Sequence, residues 1–183
     1  MPGNARLGYL PEVGDFGLAA GSGWPMRAVR IGTFSRYGHA AICEQVNSAN
    51  LGGSITIVEP MPHGCRRRVA RPGEFVWSDV PLDPEQRKTV VDYAVTCIGL
   101  PYDWPAIFGF LTRHWRAKLG GSPDDRRGGE ALICSEMPVR AYRLVGVDMA
   151  PGKVASAVSP GDLRQWLDDR RRAAPRHPPR HGA

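Results

Sequence analysis

The chain is predicted to fold as one α+β domain, on two observations. Its first half carries short β-branched or apolar runs bounded by Gly and Pro, and its second half carries apolar residues at helical spacing. Strands gathered first and helices later argue against the strict alternation that builds a parallel α/β sheet. A length of 183 residues is enough to bury a core without disulfides or metals.

Val13 to Leu18 is a candidate first strand. His39 to Val46 is a second, apolar enough to be covered, and Ser54 to Glu59 is a third, rich in β-branched residues after Gly52-Gly53. Pro60-Met61-Pro62-His63-Gly64 is read as the end of that strand, and Phe75-Val76-Trp77 as a fourth. Asp83-Pro84-Glu85-Gln86 has the signature of a helix start: an N-cap acid, Pro at the first helical position and Gln three residues after the cap. Val90, Val91, Ala94, Val95 and Ile98 continue it, and Gly99 ends it. A second helix is expected over Trp104 to Leu119, followed by a polar, Gly-rich loop from Gly120 to Gly129. A third starts near Cys134 and ends at Gly146, with Met137, Ala141, Leu144 and Val145 as its inner stripe. Pro138 falls in its first turn, where a missing N–H costs nothing.

Apolar residues make up 42% and charged residues 23%, as in ordinary globular proteins, and no apolar run approaches the roughly 18 residues of a membrane span. No secretory signal is visible at Met1 to Leu10, so a cytoplasmic or phage-associated location is expected. The net charge of +6 is mostly a tail: Arg170, Arg171, Arg172, Arg176 and Arg180 carry five of the 24 basic residues, leaving 19 against 18 acids. The domain is therefore placed at 1–169, with 170–183 as a basic, solvated tail offering at most weak contact to an anionic surface. No specific nucleic acid is expected as a partner.

The four cysteines, Cys43, Cys65, Cys97 and Cys134, show no CxxC spacing and read as thiols, with no metal or organic cofactor required. Leu132-Ile133-Cys134-Ser135-Glu136-Met137 stands apart because it sets a cysteine at the start of an amphipathic helix. There unpaired N–H groups and the helix dipole favour a thiolate and can hold an oxyanion. A nucleophile needs a neutral imidazole beside it and a third group to orient that imidazole. His39 opens a strand after Gly38 and before Ala40-Ala41, and Glu59 closes the neighbouring candidate strand, about 5 Å away across a ladder. Glu44 is five residues from His39, hence on the opposite face, and ranks below Glu59. His63 in its turn and His114 on a basic helix read as solvated, and Glu136 as first-turn support.

These motifs, in this order, resemble those of the circularly permuted NlpC-type, papain-like cysteine amidases and peptidases, the YiiX/YaeF-like group included. The matching segments are Val13-Gly14-Asp15-Phe16, Tyr37-Gly38-His39-Ala40-Ala41-Ile42, Thr56-Ile57-Val58-Glu59, Gly99-Leu100-Pro101-Tyr102-Asp103-Trp104, Cys134-Ser135-Glu136 and Ser159-Pro160-Gly161-Asp162-Leu163. The resemblance implies a permuted papain-like fold, an antiparallel sheet or small barrel against helices, with the catalytic cysteine at a helix N-terminus. It implies a Cys134–His39–Glu59 triad, with Tyr102, Asp103 and Ser135 at the substrate, and hydrolysis of an amide or ester, a peptidoglycan peptide foremost. An acyltransferase or lipid-amide hydrolase on the same fold, and a non-catalytic module of a phage particle, are the alternatives.

Overall fold

The computed structural model describes residues 10–21, 23–47, 54–71, 73–103 and 133–173. Among them a five-stranded, wholly antiparallel sheet in the order β4-β3-β2-β1-β5 meets four α-helices. The strands are β1 (Phe16–Ala19), β2 (His39–Asn47), β3 (Ser54–Met61), β4 (Gly64–Ala70) and β5 (Val76–Trp77). The helices are α1 (Trp24–Thr33), α2 (Pro84–Thr96), α3 (Glu136–Leu144) and α4 (Pro160–Ala173). The α+β class is as the sequence predicts.

The two faces of β2 follow its period of two. Ala40 and Ile42 enter the main core with Phe16, Leu18 and Val58, against Val90 and Ala94 of α2 and Met137, Ala141 and Tyr142 of α3. Ala41 and Cys43 face a smaller cluster with Ile57, Phe75 and Trp77. His39 and Glu59 share this second face, because β2 and β3 pair with Ile42 opposite Val58.

Buried polar ties fasten β1 to the helices. Tyr142 donates its hydroxyl to Gly14 O at 3.0 Å, and Asp15, fully buried, forms an ion pair with Arg87 of α2 at 3.2 Å. The Gly-Asp motif thus serves the scaffold. At the start of α2 the capping box is as expected: Asp83 accepts from Gln86 N at 2.8 Å, and Asp83 N donates in return to Gln86 Oε1 at 3.0 Å. Replacing Asp83 by Ala is expected to lower stability by about 1 kcal/mol, readable as a shift in the urea midpoint with an unchanged slope.

The structure corrects several expectations. Strand β3 does not end at Glu59. It runs through Pro60 and Met61, and a turn at Pro62-His63 folds it into β4, which the sequence reading had not identified. Alternation in β4 is hidden by three consecutive arginines, each satisfied by a carboxylate on one face or the other. Helix α1 was also not foreseen. Pro lies in its first turn, Met26 and Val29 face inward, and Phe34 closes it in a left-handed conformation. The first strand starts three residues later than Val13. Leu144 is exposed, because α3 turns its Tyr142 rather than Leu144 into the core. Finally, the boundary at 169 is too early: α4 continues to Ala173, with Arg171 paired to Asp79 at 3.1 Å and Arg170 over the Trp166 ring. The expected helix at 104–119, the loop at 120–129 and the remainder of the tail lie outside the described residues.

Candidate active site

His39 is the first residue of β2, buried to 3% exposure, and it follows a glycine that the packing requires. A Cβ on Gly38 would lie 2.6 Å from Met26 O and 2.9 Å from both Ala20 O and Arg30 Cγ. The close approach of α1 to this point therefore excludes a side chain. The carbonyl of Gly38 meets the Cys134 sulfur, which donates to it at 3.7 Å. Changing Gly38 to Ala is expected to cost about 1–3 kcal/mol through overpacking; a thermal midpoint equal to that of the unaltered chain would contradict this close approach.

The His39 ring is held between two partners. Its Nε2 bonds Glu59 Oε2 at 2.9 Å, which leaves Nδ1 as the nitrogen available to Cys134. Nδ1 is buried and has no hydrogen bond of ordinary geometry among the described residues. Cys134, held at the carbonyl of the residue before His39, interacts with the ring. Burial pulls the imidazole pKa down, and interaction with Cys134 and with Glu59 more than offsets this, raising it to about 9.

Glu59 is fully buried yet ionised. Burial opposes its charge, but His39 and Arg68 hold the carboxyl down at about 2. Two arginines of β4 complete its coordination. Arg66 sits opposite Glu59 in the ladder and donates from Nε and Nη2 to Oε1, at 3.1 and 3.0 Å. Arg68 donates from Nε to Oε1 at 2.7 Å and from Nη2 to Oε2 at 3.0 Å. The sequence reading missed both arginines. Their signal was present: in Cys65-Arg66-Arg67-Arg68, period two sends Arg66 and Arg68 to the Glu59 face and Arg67 to the other. Arg67 indeed pairs with Glu44, at 2.5 Å, on the face opposite His39. Glu44 is thereby excluded as the histidine's partner, as its odd spacing implies.

Cys134 lies in a turn just ahead of α3, two residues before the helix begins, and not in the helix itself. Ser135 is the residue at the cap, but its hydroxyl is given to Val158 O at 2.6 Å, fastening the turn to the segment before α4. Glu136 is buried. Burial raises its carboxyl against the opposing pull of Arg140, which it meets at 2.6 Å, and the charge of Asp103 adds to the rise. Pairing of Gly99 and Leu100 with Cys65, both bonds at 2.9 Å, carries the chain from α2 to Tyr102. Gly99 turns there with a φ of +87°, which suits glycine. Tyr102 is buried against Cys134, and burial together with that sulfur raises its hydroxyl pKa. Thus Cys134, His39, Glu59 and Tyr102 come together; Asp103 stands beside Glu136; Ser135 is committed to the scaffold through its hydroxyl. His63 is exposed in its turn, and His114 lies outside the described residues.

The other three cysteines are also free thiols. Burial pushes Cys43 and Cys65 up to about 12 and raises Cys97 as well. Among the described residues, Cys134 is the cysteine whose interaction with an imidazole is seen. It is expected to alkylate at least about tenfold faster than the other three at pH 8, measured by iodoacetamide labelling and peptide mass spectrometry; equal rates would contradict activation. Among the described residues no group of three or more His, Cys, Asp or Glu side chains is placed to hold a metal ion. No protein-family model matches this chain, and no curated protein matches it in sequence.

Proposed function

We propose that this chain is a cysteine hydrolase, an amidase or peptidase, built on a permuted papain-like arrangement with Cys134 as nucleophile, His39 as base and Glu59 as the group that orients His39. The observation that supports it is one buried histidine with a buried carboxylate on Nε2, and a cysteine that interacts with its ring and meets the carbonyl of the preceding residue. His39 takes the Cys134 proton, and the sulfur attacks an amide or ester carbonyl. The oxyanion is assigned to backbone N–H groups at Cys134 and Ser135, ahead of α3. His39 then returns its proton to the leaving group, and water, deprotonated by the same ring, releases the acyl group from Cys134. Tyr102, against the sulfur, is suited to contact the substrate beside the scissile bond, with Asp103 next to it. Ser135 contributes through its backbone only. A peptidoglycan peptide is the leading substrate class, on the strength of the motif resemblance.

The test is acylation. A panel of activated amides and esters is incubated with the protein, and the adduct is located by mass spectrometry. A single acyl group on Cys134, absent in Cys134→Ser, is expected. Acylation spread over several cysteines, or none with any member, would sink the reading.

A further inference from the structure

We infer that Arg68 and Glu74 form a charge-balancing pair that positions Glu59 and sets how strongly it holds a proton on His39. This rests on reading Cys134, His39 and Glu59 as a triad. Arg68 bridges two carboxylates at once. It gives two hydrogen bonds to Glu59 and two to Glu74, from Nη1 at 2.9 Å and from Nη2 at 2.5 Å. Its guanidinium also lies 5.9 Å from the centroid of the Phe75 ring, and that ring is 6.2 Å from the His39 ring. Glu74 is fixed in turn by accepting from Arg71 N at 2.9 Å. A planar fork held at both ends cannot rotate away from Glu59, so Glu59 cannot swing off Nε2.

The charges make this more than scaffolding. A carboxylate beside an imidazole favours its protonated form, and a guanidinium on the same carboxylate weakens that preference. Arg68, only a quarter exposed, is the better shielded of the two guanidiniums; Arg66 is 54% exposed and screened by water. Glu74 offsets Arg68 from its other side. The remaining charged or titratable groups around His39 are Cys134, with Tyr102 beyond it, and Arg30 of α1, whose stem lies against Gly38. The hydrogen bonds to Glu59 come from His39, Arg66 and Arg68. Removing the Arg68 charge should therefore raise the His39 midpoint, and removing the Glu74 charge should lower it.

The measurement is an NMR titration of the His39 ring in the full chain, for the unaltered protein, Arg68→Gln, Arg68→Lys and Glu74→Gln. A rise of about half a pH unit or more is expected for Arg68→Gln, a smaller fall for Glu74→Gln, and a midpoint close to the original for Arg68→Lys, which keeps the charge. The pH profile of Cys134 alkylation should move in the same directions. Shifts of the same sign in Arg68→Gln and Glu74→Gln, or no shift in either, would overturn the inference. If Arg68→Gln does not fold, Glu74→Gln against the unaltered chain decides alone, since Glu74 is in the loop after β4. The readout is independent of turnover. Opposite shifts in a protein that hydrolyses nothing would uphold this pair and refute the hydrolase, and hydrolysis without shifts would do the reverse.

Discussion

Alanine in place of His39 is expected to lower turnover of an amide or ester by about 10²–10⁴-fold, the range that a positioned general base contributes. The fold should survive the change. Glu59 keeps its four hydrogen bonds from Arg66 and Arg68, so no buried carboxylate is stranded when Nε2 is lost. Cys134 keeps its contact with Gly38 O. The loss should therefore appear in kcat, with the unfolding midpoint shifted far less than in a variant that strands a charge. Cys134→Ser should be at least as inactive, because serine has a far weaker nucleophile to offer a histidine arranged for a thiol. Stopped-assay kinetics with the substrate found by acylation would check both. A His39→Ala protein that hydrolyses at the original rate would remove histidine from the chemistry.

The largest effect on stability should come from Glu59→Ala. This side chain is fully buried and takes five hydrogen bonds, one from His39 and two from each of Arg66 and Arg68. Deleting one partner of a buried ionic cluster leaves the others uncompensated and costs about 3–5 kcal/mol. The lower end is expected here, since Arg66 is already half in water. The pH dependence carries the same signature. The carboxyl of Glu59 is held below its ordinary value, so its share of stability is complete above about pH 4.5 and is lost as pH falls toward about 2. The imidazole of His39 is raised, so its share is complete below about pH 6.5 and is lost as pH rises through about 9. Urea unfolding across pH should show both limbs in the unaltered chain and weakened limbs in Glu59→Ala. Parallel curves displaced by a constant would contradict the coupling of the two groups.

Much of this was legible in the sequence, for reasons that differ by element. The start of α2 was readable because capping is local: Asp83, Pro84 and Gln86 satisfy one another within four residues. Strands β2 and β3 were readable from covered or β-branched runs, and the shared face of His39 and Glu59 follows once the two strands pair. Strand β4 was not, because Arg66, Arg67 and Arg68 look like a solvated run until the carboxylates on either side are known. Pro60 was read as a stop, yet β3 passes through it to the last rung of the hairpin, where Met61 faces Gly64. Helix α1 escaped because Pro25 and Gly32 obscure the periodicity that Met26 and Val29 carry. The exact start of α3, two residues after Cys134, depends on Ser135 reaching Val158 in a distant segment, which no local pattern encodes.

The place of β4 in the sheet has a consequence for colloidal behaviour. It is the outermost strand of the described sheet, beyond β3, and among the described residues its outer side is paired at Cys65, with Gly99 and Leu100. An edge strand left unpaired is a template on which a strand from another molecule can add. Three consecutive charged side chains along it make such addition costly, since an incoming strand would have to desolvate them or meet like charge. Arg66, Arg67 and Arg68 are therefore expected to guard this edge against self-association as well, and neutralising several of them together should show first as lost solubility in concentrated solution.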